Sequence, residues 1–219
     1  MSSTTIILKA YDDMGLKNNV NGYKDGFNAI LGKFEKLQQL NARGWGNLVK
    51  DAKVSNYTEF TDQVLSFADK CDQRNLADIV SKDLERENSI LKNFILKDAT
   101  KLNEESQYEK GFDAILDKFK LKALGLDNLV EEAKLSGNQK FMENVLVFAD
   151  KCLKRGLANI AAEDIAKGKS SLLVNFILND APGIKDVNEI KSASQQYEDG
   201  FVNLLNHFKL TALGLDDLV

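Results

Sequence analysis

Apolar residues recur along this chain at intervals of three and four, the spacing that lines one face of an α-helix. Phe141, Val145, Phe148 and Cys152 stand at i, i+4, i+7 and i+11, a single stripe. Phe112, Ile115, Leu116 and Phe119 form another. Almost no segment alternates with a period of two, so the pattern predicts helices throughout and negligible sheet. Asn56-Tyr57-Thr58-Glu59 has the form of a capping box and predicts the start of a helix carrying Phe60, Val64 and Phe67. Ser136-Gly137-Asn138 predicts the end of one helix and the start of the next. A single proline in 219 residues agrees, because proline interrupts helix interiors.

The pattern also repeats at long range. Tyr23-Lys24-Asp25-Gly26-Phe27 returns as Tyr108-Glu109-Lys110-Gly111-Phe112 and as Tyr197-Glu198-Asp199-Gly200-Phe201. Phe67-Ala68-Asp69-Lys70-Cys71 returns letter for letter at Phe148-Ala149-Asp150-Lys151-Cys152. Asn93-Phe94-Ile95-Leu96 returns at Asn175-Phe176-Ile177-Leu178. Internal duplication with a period near 85 residues, varying through connector length, accounts for all three. The connector after Ala181 is longer than its counterpart after Ala99 and carries Pro182-Gly183, a helix stop. A shorter echo within the repeat sets Gly44 against Asn75 and Gly125 against Gly156.

These features predict an all-α fold of tandem helical-hairpin repeats, stacked as an α-solenoid or a compact repeat bundle. They predict one domain over residues 1–219, with long repeats at about 23–107 and 108–196 and partial copies at 1–22 and 197–219.

Residues 156–186 resemble a degenerate ankyrin repeat. Gly156 opens the unit; Ile160, Ala161, Ala162 and Gly168 follow, then Leu172-Leu173 and Phe176-Ile177-Leu178, with Asn179-Asp180-Ala181 at the exit turn. Residues 125–155 are similar, through Leu129, Ala133, Gly137, Phe141 and Val145-Leu146. The family's Thr-Pro-Leu-His opening is absent. The resemblance implies a protein-binding module with no activity of its own.

Composition narrows the function. Hydrophobic residues make up 43% and charged residues 28%, the balance of a folded protein. Net charge is −4, with Lys and Arg dispersed among Asp and Glu. Lys118, Lys120 and Lys122 form a solvated helix edge rather than a basic stripe, so no nucleic-acid partner is expected. The longest apolar run, Val145 to Ala149, predicts no membrane span. The residues after Met1 lack a basic n-region, which predicts no secretory leader. Two cysteines are too few for a disulfide framework, and a reducing, cytoplasmic setting is expected.

Candidate chemistry is sparse. Cys71 and Cys152 lie on apolar stripes with no histidine nearby in sequence, so they read as buried fillers. His207, the only histidine, stands where other copies carry Lys33 and Lys118, and reads as a surface residue. Neighbouring carboxylates such as Glu131-Glu132 diverge by about 100° on a helix and do not converge on one ion. The glycines, Gly111 among them, read as punctuation. No enzyme activity, cofactor or metal site is therefore expected.

The expected function is a protein–protein interaction or scaffold module. Trp45 stands at a leucine position and either fills the core or anchors a partner; with Leu215 and Leu218 it is a candidate partner-binding residue. The apolar end formed by Leu215, Leu218 and Val219 also suggests self-association. The alternative is a carrier of an apolar lipid or pigment in an inter-helix cavity, suggested by twelve phenylalanines.

Overall fold

The computed structural model describes residues 20–185 and 192–215, with side chains from Phe27 onward except Ala29 and Ile30. Eleven α-helices follow one another among the described residues, and no strand occurs there. They are α1 (Val20–Ala42), α2 (Gly46–Asp51), α3 (Tyr57–Asp72), α4 (Ala77–Leu84), α5 (Ile90–Asn93) and α6 (Glu105–Ala123). After these come α7 (Leu126–Glu132), α8 (Gln139–Lys154), α9 (Ala158–Ala166), α10 (Leu172–Asn175) and α11 (Ala193–Ala212). The partial copy over residues 1–22 lies almost wholly outside the described residues.

Recurring motifs fall on corresponding elements. The Tyr-x-x-Gly-Phe motif lies on α1, α6 and α11, and Phe-Ala-Asp-Lys-Cys on α3 and α8. The one-turn helices α5 and α10 each run on into a π-helical turn, Phe94–Asp98 and Phe176–Asp180, and then a 3-10 turn.

Local chemistry sets the helix ends. The Asn138 side chain accepts from the Phe141 amide at 3.0 Å and starts α8, as the sequence predicts. Ser171 caps α10 in the same way through the Val174 amide at 2.9 Å. Gly125 and Gly156 carry the chain between helices at φ of 70° and 68°, a conformation that burdens residues with a Cβ. Asn75 takes that role in the first copy at φ 54°, consistent with asparagine's tolerance of the left-handed region.

The chain forms two compact units, Met1–Ala68 with Lys92–Phe112, and Asp69–Leu91 with Asp113–Val219. In the first unit the rings of α3 and α6 interlock. Phe60 meets Tyr108 edge-on at 5.4 Å and Phe67 packs on Phe112 at 5.2 Å. Phe94, from the π-turn, meets Phe112 edge-on at 4.8 Å.

The second unit builds the same cluster from other residues. Phe141 meets Tyr197 edge-on at 5.4 Å, Phe148 packs on Phe201 at 5.1 Å, and Phe176 meets Phe201 edge-on at 5.0 Å. Each central tyrosine is buried with its hydroxyl satisfied: Tyr108 donates to the Leu102 carbonyl at 2.9 Å, and Tyr197 accepts from the Asn138 amide at 3.0 Å. Both clusters fill with ring edges meeting ring faces, which supplies contact energy beyond area alone.

Both copies also carry a buried aspartate that ties a helix end to the next helix start. The Asp83 carboxylate accepts from the Ser89 hydroxyl at 2.7 Å and from the Ile90 and Leu91 amides at 3.2 and 3.1 Å. Asp164 accepts from the Ser171 hydroxyl at 2.7 Å and from the Leu172 and Leu173 amides at 3.4 and 3.0 Å. These amides begin α5 and α10 and have no partner earlier in the helix, so each carboxylate satisfies orphan donors inside the protein.

Candidate functional site

The surfaces where two otherwise matching copies differ are the places to look for function. Along α8 and α11 a groove of about 210 Å³ is lined by Asn144, Val147, Phe148, Lys151, Glu198 and Val202, among others. Val147 and Val202 are exposed. Counting along the repeat, Val147 stands where the first copy has Ser66, and Val202 where it has Asp113. In that first copy Lys70 reaches Asp113 at 2.8 Å, so an ion pair occupies the position that the second copy leaves apolar.

A second pocket of about 490 Å³ lies in the same unit, with Arg74, Asn75, Asp78 and Lys82 on one wall and Leu153, Gly156 and Asn159 on the other. Its arginine is committed to the fold. Arg74 Nε donates to Asp150 at 2.5 Å, and its Nη1 donates to the Lys70 carbonyl at 2.8 Å. Asp150 also takes Lys154 at 2.8 Å and Lys120 at 3.5 Å. Burial alone would raise the Asp150 pKa; hydrogen bonds from Lys154 and Arg74, with the charges of Arg74 and Lys120, outweigh it and bring the value to about 2. A carboxyl held that low stays ionised near neutral pH and cannot shuttle protons there.

The remaining candidates resolve as follows. Cys71 and Cys152 are buried, and burial pushes both thiols up to about 12, far from the depressed values of nucleophilic cysteines. His207 is half-buried rather than fully on the surface, its ring 6.3 Å from Phe208. Glu131 and Glu132 are exposed. Among the described residues no group of three metal-ligating side chains converges, and no helix is long and apolar enough to cross a membrane.

The three partner-binding candidates separate. Trp45 is buried, with its ring 5.8 Å from Phe67, and so takes the core option at its leucine position. Leu215 is exposed, as is Leu213, whereas their counterparts Leu126 and Leu124 are buried. Leu218 lies outside the described residues.

Sequence reasoning missed the role of Gly111 and Gly200. Both lie inside helices, and a Cβ at either would stand 2.2 Å from the ring of Phe94 or Phe176. They are ring seats, not punctuation. It also missed that Phe27, Leu31 and Phe34 on α1 are exposed, because in sequence they match residues that are buried elsewhere.

No family model matches the chain, and no match is found among curated proteins or solved structures.

Proposed function

We propose that this chain is a protein-interaction module without catalytic activity, a scaffold of tandem helical-hairpin repeats working in the cytoplasm. The observation that carries the reading is the groove of α8 and α11. The packed rings beneath it match those of the first copy, yet its rim exchanges Ser66 and Asp113 for Val147 and Val202. Covering an apolar side chain stabilises a complex by about 0.8 kcal/mol per CH₂ removed from water, so an apolar rim favours contact with a partner. The ankyrin-like pattern of residues 125–186 points the same way, to binding without catalysis. Leu213 and Leu215 offer a further exposed apolar surface, suited to self-association.

The carrier alternative draws no support from the two pockets. The larger is walled by Arg74, Asp78 and Lys82, a poor lining for an apolar cargo.

The test restores the first copy's residues. Val147→Ser with Val202→Asp leaves helix content unchanged and releases the polypeptide that the wild-type protein retains when purified from its native source. Equal retention by both proteins overturns the assignment of the groove. Retention of no polypeptide by either overturns the module.

A further inference from the structure

Between its two copies the protein keeps one half of an ion pair and discards the other. In the first copy Lys70 of α3 reaches Asp113 of α6 at 2.8 Å. In the second copy Lys151 of α8 stands at the place of Lys70, and Val202 of α11 at that of Asp113. Lys151 is exposed, and its ammonium has no ion-pair or hydrogen-bond partner among the described residues. The acid next to it in sequence, Asp150, is taken by Arg74, Lys120 and Lys154.

The packing of the rings fixes the order of groups along the groove. Phe141 meets Tyr197 and Phe148 meets Phe208, so α8 and α11 run in the same direction. Glu198 therefore lies toward the starts of both helices and Lys151 toward their ends, with Val147 and Val202 between them. Glu198 accepts from Gln195 at 3.4 Å. The first copy has both of these charges, as Glu109 and Lys70, so the groove keeps its charged ends and turns its middle apolar. The space over the valines and the rings beneath them is about 210 Å³. An apolar cavity of about 150 Å³ already holds benzene, so one large apolar side chain fits here.

We infer that the groove of α8 and α11 receives a short segment of a partner polypeptide that carries an aspartate or glutamate beside a large apolar residue. The apolar side chain seats on Val147 and Val202. The carboxylate pairs with Lys151 and restores from outside the contact that Asp113 makes in the first copy. A pair between partly exposed charges adds little affinity, which comes from the apolar side chain; the pair decides which partner fits. Glu198 repels a carboxylate at the other end, so the segment enters in one orientation. This inference rests on the reading of the groove as a partner site and adds the chemistry of the partner.

The probe is a random-peptide phage library panned on the immobilised full chain. Enriched sequences are expected to share an Asp or Glu next to a large apolar residue, and panning on Lys151→Glu to enrich Lys or Arg at that place instead. A fluorescent peptide of the wild-type consensus, followed by anisotropy, binds Lys151→Glu about tenfold more weakly and Lys151→Met about threefold more weakly, at unchanged helix content. The same peptide with its acid replaced by the amide binds wild type and Lys151→Met alike. Enrichment of no sequence, a consensus without an acid, or binding that ignores Lys151 overturns the inference. Where such binding is still lost with Val147→Ser and Val202→Asp, the groove assignment survives that failure; where it ignores these too, both fall. Concentration-dependent dimerisation abolished by Lys151→Glu seats a second copy in the groove and also overturns the inference.

Discussion

The ring of Phe176 lies so close over Gly200 that a single added methyl would stand 2.2 Å from two of its carbons. Phe94 and Gly111 repeat the relationship in the first unit. Alanine at a helix-interior glycine ordinarily adds about 1 kcal/mol of stability. Here the overlap wins, because the ring is wedged among other rings and overpacking costs about 1–3 kcal/mol. Gly200→Ala and Gly111→Ala are expected to lower the denaturant midpoint, while Gly32→Ala, on α1 with nothing within 4 Å, raises it.

Equivalent phenylalanines should differ in worth. Phe201→Ala removes a ring packed against Phe141, Phe148 and Phe176 and is expected to cost about 3–5 kcal/mol. Phe27→Ala removes an exposed ring and should stay within about 0.5 kcal/mol of wild type. Urea unfolding of the two variants checks the contrast.

Helix content and repetition were legible in the sequence because both depend on local spacing. Phe141 to Cys152 marks α8 by period alone, and the recurrence of Phe-Ala-Asp-Lys-Cys marks its twin. Burial was not legible where a motif is conserved but its cover is not: Phe27 and Phe112 sit in nearly identical words, and only one is buried. The π-turns at Phe94 and Phe176 escaped because a five-residue widening leaves no mark on an apolar period. Asp83 and Asp164 had a readable signal, an aspartate recurring ahead of a serine and a leucine. It was passed over because charged residues are seldom fully buried. A tryptophan at a leucine position fits both core and interface, and only tertiary packing, against Phe67, puts Trp45 in the core.

Asp150 should make stability fall in acid. Its carboxyl lies below the ordinary value of 3.8, at about 2, so the fold binds fewer protons there than the unfolded chain. The stabilisation is complete above about pH 4 and is lost as pH falls toward 2. Discounted for solvent screening, it amounts to about 1 kcal/mol. Asp150→Asn is expected to lower stability by about that much at pH 7 and to flatten the acid limb of a stability–pH curve.

The cysteines act at the opposite end. Burial raises both thiols from 9.0 to about 12; Asp72 adds to the rise at Cys71, while Arg74 and Lys120 oppose it there and Arg155 opposes it at Cys152. Folded protein at pH 8 should therefore leave a thiol reagent unreacted, with both sites titrating on denaturation. Their contribution to stability holds below pH 9 and declines from about 9 to 12, as the unfolded chain releases its protons first.

Native mass spectrometry of the protein purified gently from its own source tests the interaction-module reading most directly. The chain is expected in a defined complex with a second polypeptide, dissociating to a bare chain with no bound small molecule. A stoichiometric lipid or pigment on the isolated chain, or a bare monomer at every concentration sampled, would contradict it.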